Sequence, residues 1–367
     1  MASRPPTLEQ LRRHAIARTL FKPTTLLGAI RRLGFVQADP MRAPARAQDL
    51  ILMHRVKGYR AGDLEARYAR LPVEEDCFVN YGFLPREHLP LLHPRTPKRS
   101  WDAATQARAA ELLEFVRTRG RTHPRDVLEV FSHGRMAGYW GGELNVSTQL
   151  LDGLHYRGQL RVARRDAGTR VYEPMRHAEV DDSSPARQAR ADALLDLVLQ
   201  LYAPLPAASL GYLTSLLGYG APQLRAEARA ALKRLPQRQP HALVEGERWF
   251  WPDGENPASR RHRVEPERLR WLAPFDPLVW DRRRFERFWG WAYRFEAYTP
   301  AAKRTMGHYA LPLLWGEQVV GWANLKVSDG CLVPELGFVG PRPRGAVFEQ
   351  ALQQAEQHTA DFLGLQA

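Results

Sequence analysis

Gln37 and Asp39 stand two residues apart in the run Leu33-Gly34-Phe35-Val36-Gln37-Ala38-Asp39-Pro40. In an extended segment such residues project from the same face, so a carboxamide and a carboxylate lie side by side among apolar or small neighbours. Pro40 then blocks further strand pairing. A carboxylate so placed can stabilise positive charge or draw a proton from water, and an amide both donates and accepts hydrogen bonds. No lysine flanks the pair closely, so a Schiff-base step has no obvious nucleophile. The competing reading is a surface strand whose polar face meets water.

Several elements must hold that pair in place. Thr7 and Gln10 form a capping box ahead of a helix with Leu8, Leu11, Ile16 and Leu20 near helical period. Thr24 or Thr25 caps a second helix to Leu33, bearing Leu26, Leu27 and Ile30, and Gly34 occupies the position after it, where a left-handed turn suits glycine. Short helical patterns follow over Ala45–Val56 and Ala61–Leu71, and Phe78–Leu84 reads as a strand ending at Pro85.

The next stretch has its own layout. Ala103–Arg119 is helical and stops at Gly120; Thr122-His123-Pro124 opens a short helix, with proline just inside its start. Ser147–Arg157 is a third helix. Gln159–Arg165 and Thr169–Glu173 alternate as strands across the Asp166-Ala167-Gly168 turn. Helix, helix, helix and hairpin is the layout of a winged helix-turn-helix, the other reading being a plain helical hairpin with a solvated β-ribbon. Arg161, Arg164, Arg165 and Arg170 on the hairpin suit the flanking phosphates of a groove. The layout recurs after the Asp181–Pro185 linker: a helix over Ser209–Leu217, another from Pro222 to Leu235, then a hairpin of His241–Val244 and Arg248–Trp251. No residue-level repeat accompanies it.

Composition narrows the partners. The 367 residues carry 53 Lys plus Arg against 40 Asp plus Glu, a formal net charge of +13. That balance favours polyanions, because each neutralised phosphate releases a counterion. Cys77 and Cys331, far apart, make neither a metal-ligand spacing nor a disulfide framework. His54, His133 and His308 share no metal spacing and read as structural or surface histidines. Gly138–Gly142 lacks the context of a nucleotide loop. Tyr139-Trp140, Trp289 and Trp291 are either stacking aromatics or core. Neither an apolar signal core nor a run long enough to span a bilayer is present, so the chain reads as cytoplasmic; a DNA-acting protein there is expected to be nucleoid-associated.

Toward the C-terminus, Leu272–Pro277 is turn-rich and Arg282–Trp289 is a basic-aromatic helix. Tyr309–Leu314, Gln318–Val327 and Cys331–Val339 alternate as strands, and Phe348–Leu363 is an amphipathic helix that closes them. The expected fold is α+β: tandem winged helix-turn-helix domains followed by a small antiparallel β domain or partial barrel. Its expected divisions are residues 1–97, 98–180, 181–258 and 259–367.

Four blocks carry a family resemblance. Leu33–Pro40 resembles the Gln-hydrophobic-Asp segment of the YcaQ/AlkZ-like winged-helix DNA glycosylases. Ala273-Pro274-Phe275-Asp276-Pro277-Leu278-Val279-Trp280-Asp281-Arg282, Tyr298-Thr299-Pro300-Ala301-Ala302-Lys303-Arg304 and Leu311-Pro312-Leu313-Leu314 are similar to its C-terminal blocks, in the same order. The resemblance implies tandem winged helices around a DNA channel, removal of N7-alkylated purines and unhooking of interstrand cross-links. It departs at Phe78-Val79-Asn80-Tyr81, where many members place a histidine and Asn80 is the nearest equivalent, and in a C-terminus shorter than that of some members.

The chemistry fits Asp39 and Gln37 as catalytic residues. N7-alkylation makes guanine cationic and a good leaving group, which leaves stabilisation of an oxocarbenium sugar and positioning of water as the enzyme's tasks. The expectation is a monofunctional, monomeric DNA glycosylase without cofactor or metal, acting on duplex DNA carrying alkylated bases. Arg42, Arg46, Arg161, Arg164, Arg165, Arg170, Lys303 and Arg304 are the expected DNA contacts. A cross-linked base cannot turn fully out into a closed pocket, which calls for an open groove. The alternative is a non-catalytic winged-helix DNA-binding protein or transcriptional regulator, in which the Gln37/Asp39 pair has no purpose; an RNA-binding scaffold has no RNP-type or KH motif behind it.

Overall fold

The computed structural model describes residues 4–131, 134–137, 143–177 and 179–365; the sequence readings at His133, Tyr139-Trp140 and Gly138–Gly142 lie outside these residues or rest in part on residues outside them. Helices and antiparallel strands are mixed throughout. The backbone gathers into two units: Met1–Asp63, Leu195–Thr214 and Ala231–Ala367 make one, Leu64–Leu194 and Ser215–Ala230 the other. Each unit is discontinuous in sequence.

In the first unit, helix Leu8–Thr19 opens on the expected capping box, with Thr7 and Gln10 bonded at 2.9 and 3.2 Å. Helix Leu26–Leu33 is capped by the Thr25 hydroxyl, which accepts from the Gly28 amide at 3.1 Å. Leu26, Ala29, Ile30 and Leu33 form its buried face, and Gly34 ends it at φ 81°, a conformation that favours glycine. Val36–Gln37 is then extended, and the buried helix Ala47–Leu52 packs beside it.

Two sheets complete this unit. His241–Val244 pairs with Glu247–Phe250, one residue earlier than the Arg248–Trp251 expected, and Leu205–Pro206 adds a third strand beside the second. The C-terminal sheet runs Leu269–Trp271, Leu311–Trp315, Gln318–Ser328, Cys331–Phe338, all antiparallel and open rather than closed into a barrel. Its first strand was not apparent from sequence, since three residues are too few for alternation to show. Helix Ala346–Leu363 packs on the outer strands, with the Trp271 indole N–H donating to the Ala355 carbonyl at 3.3 Å.

A buried ion pair fixes the turn before helix Arg282–Trp289. Arg55 and Asp276, both fully buried, meet in a bidentate contact at 2.8 and 3.0 Å. Arg55 also donates to the Thr19 carbonyl at 2.9 Å and the Ile51 carbonyl at 2.6 Å, satisfying acceptors that helix ends leave open.

The second unit contains helices Ala103–Arg119, Pro124–Val130 and Val146–Tyr156 and the hairpin Leu160–Asp166/Thr169–Pro174. Thr122 and Tyr172 exchange backbone bonds at 2.8 and 2.9 Å, which adds a bridge to the hairpin's edge. Two expectations need correction. Phe78–Leu84 is not one strand: Val73–Cys77 and Tyr81–Pro85 form a hairpin turning at Phe78-Val79-Asn80. Three consecutive acidic residues hid the first strand, because carboxylates are depleted in strands unless something neutralises them. The Asp181–Pro185 linker is shorter than expected, since Ser184 and Pro185 already belong to helix Ser184–Tyr202. Proline is tolerated in a first helical turn, where its missing N–H costs nothing.

Candidate active site

The Gln37/Asp39 segment is held from both sides in sequence. Upstream, Gly34 turns the chain out of its helix; downstream, the Met41 amide donates to Asp39 Oδ1 at 2.9 Å in a local turn that fixes the carboxylate. Gln48, itself buried, accepts from the Asp39 amide at 3.4 Å. Among the described residues the Met41 amide is the one donor to the Asp39 carboxylate. Burial pushes this half-buried carboxyl above its usual range, and the Met41 bond only partly offsets that. Gln37 is buried at 4% exposure, and its Oε1 has no protein partner among the described residues. A buried acceptor left open is costly unless a ligand or water meets it, so the competing reading of a water-facing strand does not hold.

An aromatic wall stands in the same unit. Phe275 and Phe295 meet edge-to-face at 5.2 Å between ring centroids; Phe295 contacts Tyr309 at 5.4 Å and Tyr298 at 6.1 Å. The loop carrying Tyr298 is pinned by Glu296, which accepts from the Thr305 amide and hydroxyl and the Met306 amide, each at 2.8 Å. Tyr298 stays 71% exposed on that loop. Lys303 is exposed, and Arg304 is half-buried, donating to the Thr299 carbonyl at 2.8 Å. Arg42 is exposed just past Pro40, and Arg46 is half-buried ahead of helix Ala47–Leu52.

The hairpin arginines are engaged in ion pairs within the chain. Glu74, Glu75 and Asp76 are consecutive and all buried. Arg161 pairs with Glu74 at 2.7 Å and with Glu173; Arg165 grips Glu75 in a bidentate contact; Arg170 reaches Glu75 at 3.2 Å and Asp152 at 2.8 Å. Burial alone would raise the Glu75 carboxyl, but Arg165 and Arg170 more than reverse it and hold it below the ordinary range. Arg161, Arg165 and Arg170 therefore neutralise carboxylates of their own unit, most of them outside the hairpin. Arg164 is the exception: its pair with Asp166, at 2.8 Å, is solvent-exposed and so weak.

The remaining candidates resolve plainly. His54 is buried, its Nε2 bonded to the Trp271 carbonyl at 2.8 Å, and burial drives its pKa well below the ordinary value. His308 is exposed. Trp289 donates to the Glu317 carbonyl at 2.9 Å, and Trp291 stacks on Trp322 at 5.8 Å, so both serve packing. Asn80 sits exposed at the hairpin turn, its Oδ1 accepting from the Tyr81 amide at 2.8 Å. No group of three or more His, Cys, Asp or Glu among the described residues could hold a metal ion, and no described helix is long and apolar enough to cross a membrane. The Phe275/Phe295 wall was not read from the sequence: Phe275 lies in the first C-terminal block, while Phe295 and Tyr309 lie outside the blocks.

Comparison with known proteins gives two findings. A family model described as DNA glycosylase AlkZ-like matches residues 30–362. The solved structure of Streptomyces sahachiroi DNA glycosylase AlkZ is similar, with a TM-score of 0.61 at 15% identity over 99% of this chain and 98% of that one. At that identity the likeness concerns the fold.

Proposed function

The chain belongs to the AlkZ-like DNA glycosylase family, and from that premise we propose that it hydrolyses the N-glycosidic bond of N7-alkylated purines in duplex DNA. It acts as a monofunctional enzyme of DNA repair, without cofactor and as a monomer. In this reading the C1′–N9 bond breaks, the purine leaves with the bonding pair and loses its positive charge, and water adds to C1′. Asp39 stabilises the oxocarbenium and takes the water's proton; Gln37 holds that water or the sugar. The observation that carries the reading is Asp39: a half-buried carboxylate with one amide donor, whose affinity for a proton burial has increased. The helix-and-hairpin blocks are read as winged helices, and the proposal extends to interstrand cross-links, whose base would have to be met without full extrusion from the duplex.

Incubation with duplex DNA carrying N7-methylguanine, followed by chromatography, should show free base and an intact abasic strand. Since the base form of Asp39 is required, release should fall as pH drops, on a limb above the range of an ordinary exposed aspartate. Release that is flat through the acid range would exclude Asp39 as the base.

DNA affinity should fall steeply as salt rises, in keeping with the charge of +13. The two adjacent hairpin arginines should separate in a binding titration. Arg164→Ala should weaken binding about equally across sequences, as phosphate contacts do. Arg165→Ala should instead lower the unfolding midpoint, because it strips buried Glu75 of its bidentate partner. An Arg164→Ala protein that binds as the parent does would remove the hairpin tip from the DNA surface.

A further inference from the structure

Arg270 is buried at 7% exposure on strand Leu269–Trp271, and two of its nitrogens, Nε and Nη1, meet no hydrogen-bond partner among the described residues. Its Nη2 meets Glu265 at 3.1 Å, an exposed carboxylate that Arg268 shares at 2.9 Å. Arg55, buried in the same unit, has all three of its nitrogens bonded, so a guanidinium left this open is not the rule here. Burial lowers the Arg270 pKa to about 10, which leaves it charged at neutral pH. A buried charge with unmet N–H groups is costly unless an acceptor reaches them.

Arg270 lines a cleft of about 400 Å³ together with His54, Arg268, Gln354 and His358, all within one unit. His54 is buried at 4% exposure, 6.3 Å between ring centroids from His358. Its Nε2 lies 2.8 Å from the Trp271 carbonyl, which can only accept, so Nε2 carries the proton and Nδ1 is a bare acceptor. Burial keeps the ring neutral, and the charges of Arg270 and Arg55 act in the same direction. Nδ1 too meets no partner among the described residues. The cleft thus offers two open donor nitrogens and one open acceptor, all buried.

We propose that this cleft binds a hydrogen phosphate group: its oxygens accept from Arg270 Nε and Nη1, and its P–OH donates to His54 Nδ1. Such charge-assisted bonds are the strong ones. Sulfate, an ionised carboxylate and a phosphodiester match only half of the site, because none carries at neutral pH the proton that Nδ1 requires. Two separate donors likewise call for more than one oxygen, which chloride lacks. Glu265 and Glu267 also border the cleft, but both are exposed and so screened by water. The site is independent of the glycosylase reading.

The test is isothermal titration calorimetry of the full chain with inorganic phosphate and with sulfate, at neutral pH and matched ionic strength. The parent should bind phosphate about 10- to 100-fold more tightly than sulfate, the range for one hydrogen bond to a charged group. His54→Gln keeps an N–H for the Trp271 carbonyl and removes the acceptor, so it should lose that preference. Arg270→Met keeps the apolar stem and should bind neither anion in the cleft. In chloride it should unfold at or above the parent's midpoint, because no charge is then left half-met. Competition from a strand with a 5′-phosphate beyond that of its 5′-hydroxyl counterpart assigns the site to a strand end; no such difference assigns it to free phosphate. Equal binding of phosphate and sulfate by the parent, a preference that survives His54→Gln, or phosphate binding that survives Arg270→Met would each overturn the assignment.

Discussion

Replacing Asp39 by Asn should slow single-turnover base release by about 100- to 1,000-fold, the cost of losing one aimed electrostatic group. The substitution keeps the shape of the side chain and the acceptor for the Met41 amide. What it removes is the negative charge that, in the proposed mechanism, stabilises the sugar cation and receives the proton. Stability should move the opposite way. Burial raises the folded-state pKa of Asp39 above its unfolded value, so ionising this group at neutral pH opposes folding. The neutral carboxamide carries no such penalty. Asp39→Asn should therefore unfold at a slightly higher midpoint at pH 7, with the difference vanishing as pH falls below the ordinary carboxylate range. A slower and more stable variant marks a functional residue; a slower and less stable one marks a structural residue. Gln37→Ala should cost less in rate, because solvent partly replaces a lost hydrogen bond. Equal release by parent and Asp39→Asn at matched DNA occupancy would take Asp39 out of the mechanism.

Local chemistry made some of this legible from residues alone. Thr7, Gln10, Thr25 and Gly34 are cap residues whose roles depend on neighbours three or four positions away, and each fulfils its role. The hairpin around Ala167-Gly168 was equally local, since turn and alternation lie within one short stretch. Long-range neutralisation was not legible. Glu74, Glu75 and Asp76 are buried only because Arg161, Arg165, Arg170 and Arg95 arrive from elsewhere in the chain. Read alone, those arginines are a basic patch and those carboxylates a surface run; together they cancel. A charge excess thus survives as a statement about the whole chain, while its assignment to particular side chains requires knowing which are already paired.

Asp276→Asn should be among the most destabilising single substitutions outside the apolar core. It keeps the side-chain shape but leaves the Arg55 guanidinium, fully buried, without its countercharge. Removing one partner of such a pair costs about 3–5 kcal/mol, a large part of the roughly 5–15 kcal/mol that holds a typical domain folded. Denaturant unfolding should register the loss as a lower midpoint at an unchanged slope. Arg55→Met with Asp276→Leu should lose less than the two single changes added together, because no charge is then stranded. It should still fall short of the parent, since the Thr19 and Ile51 carbonyls lose their donor. The consequence reaches the aromatic wall through one residue: Phe275 precedes Asp276 in the same turn and packs against Phe295 and Tyr309. Loosening that turn should lower the rate of base release even where most of the protein remains folded, while the acid limb, which belongs to Asp39, stays in place. A stability within about 0.5 kcal/mol of the parent's, the ordinary span of surface substitutions, would show that Arg55 finds another way to be neutralised.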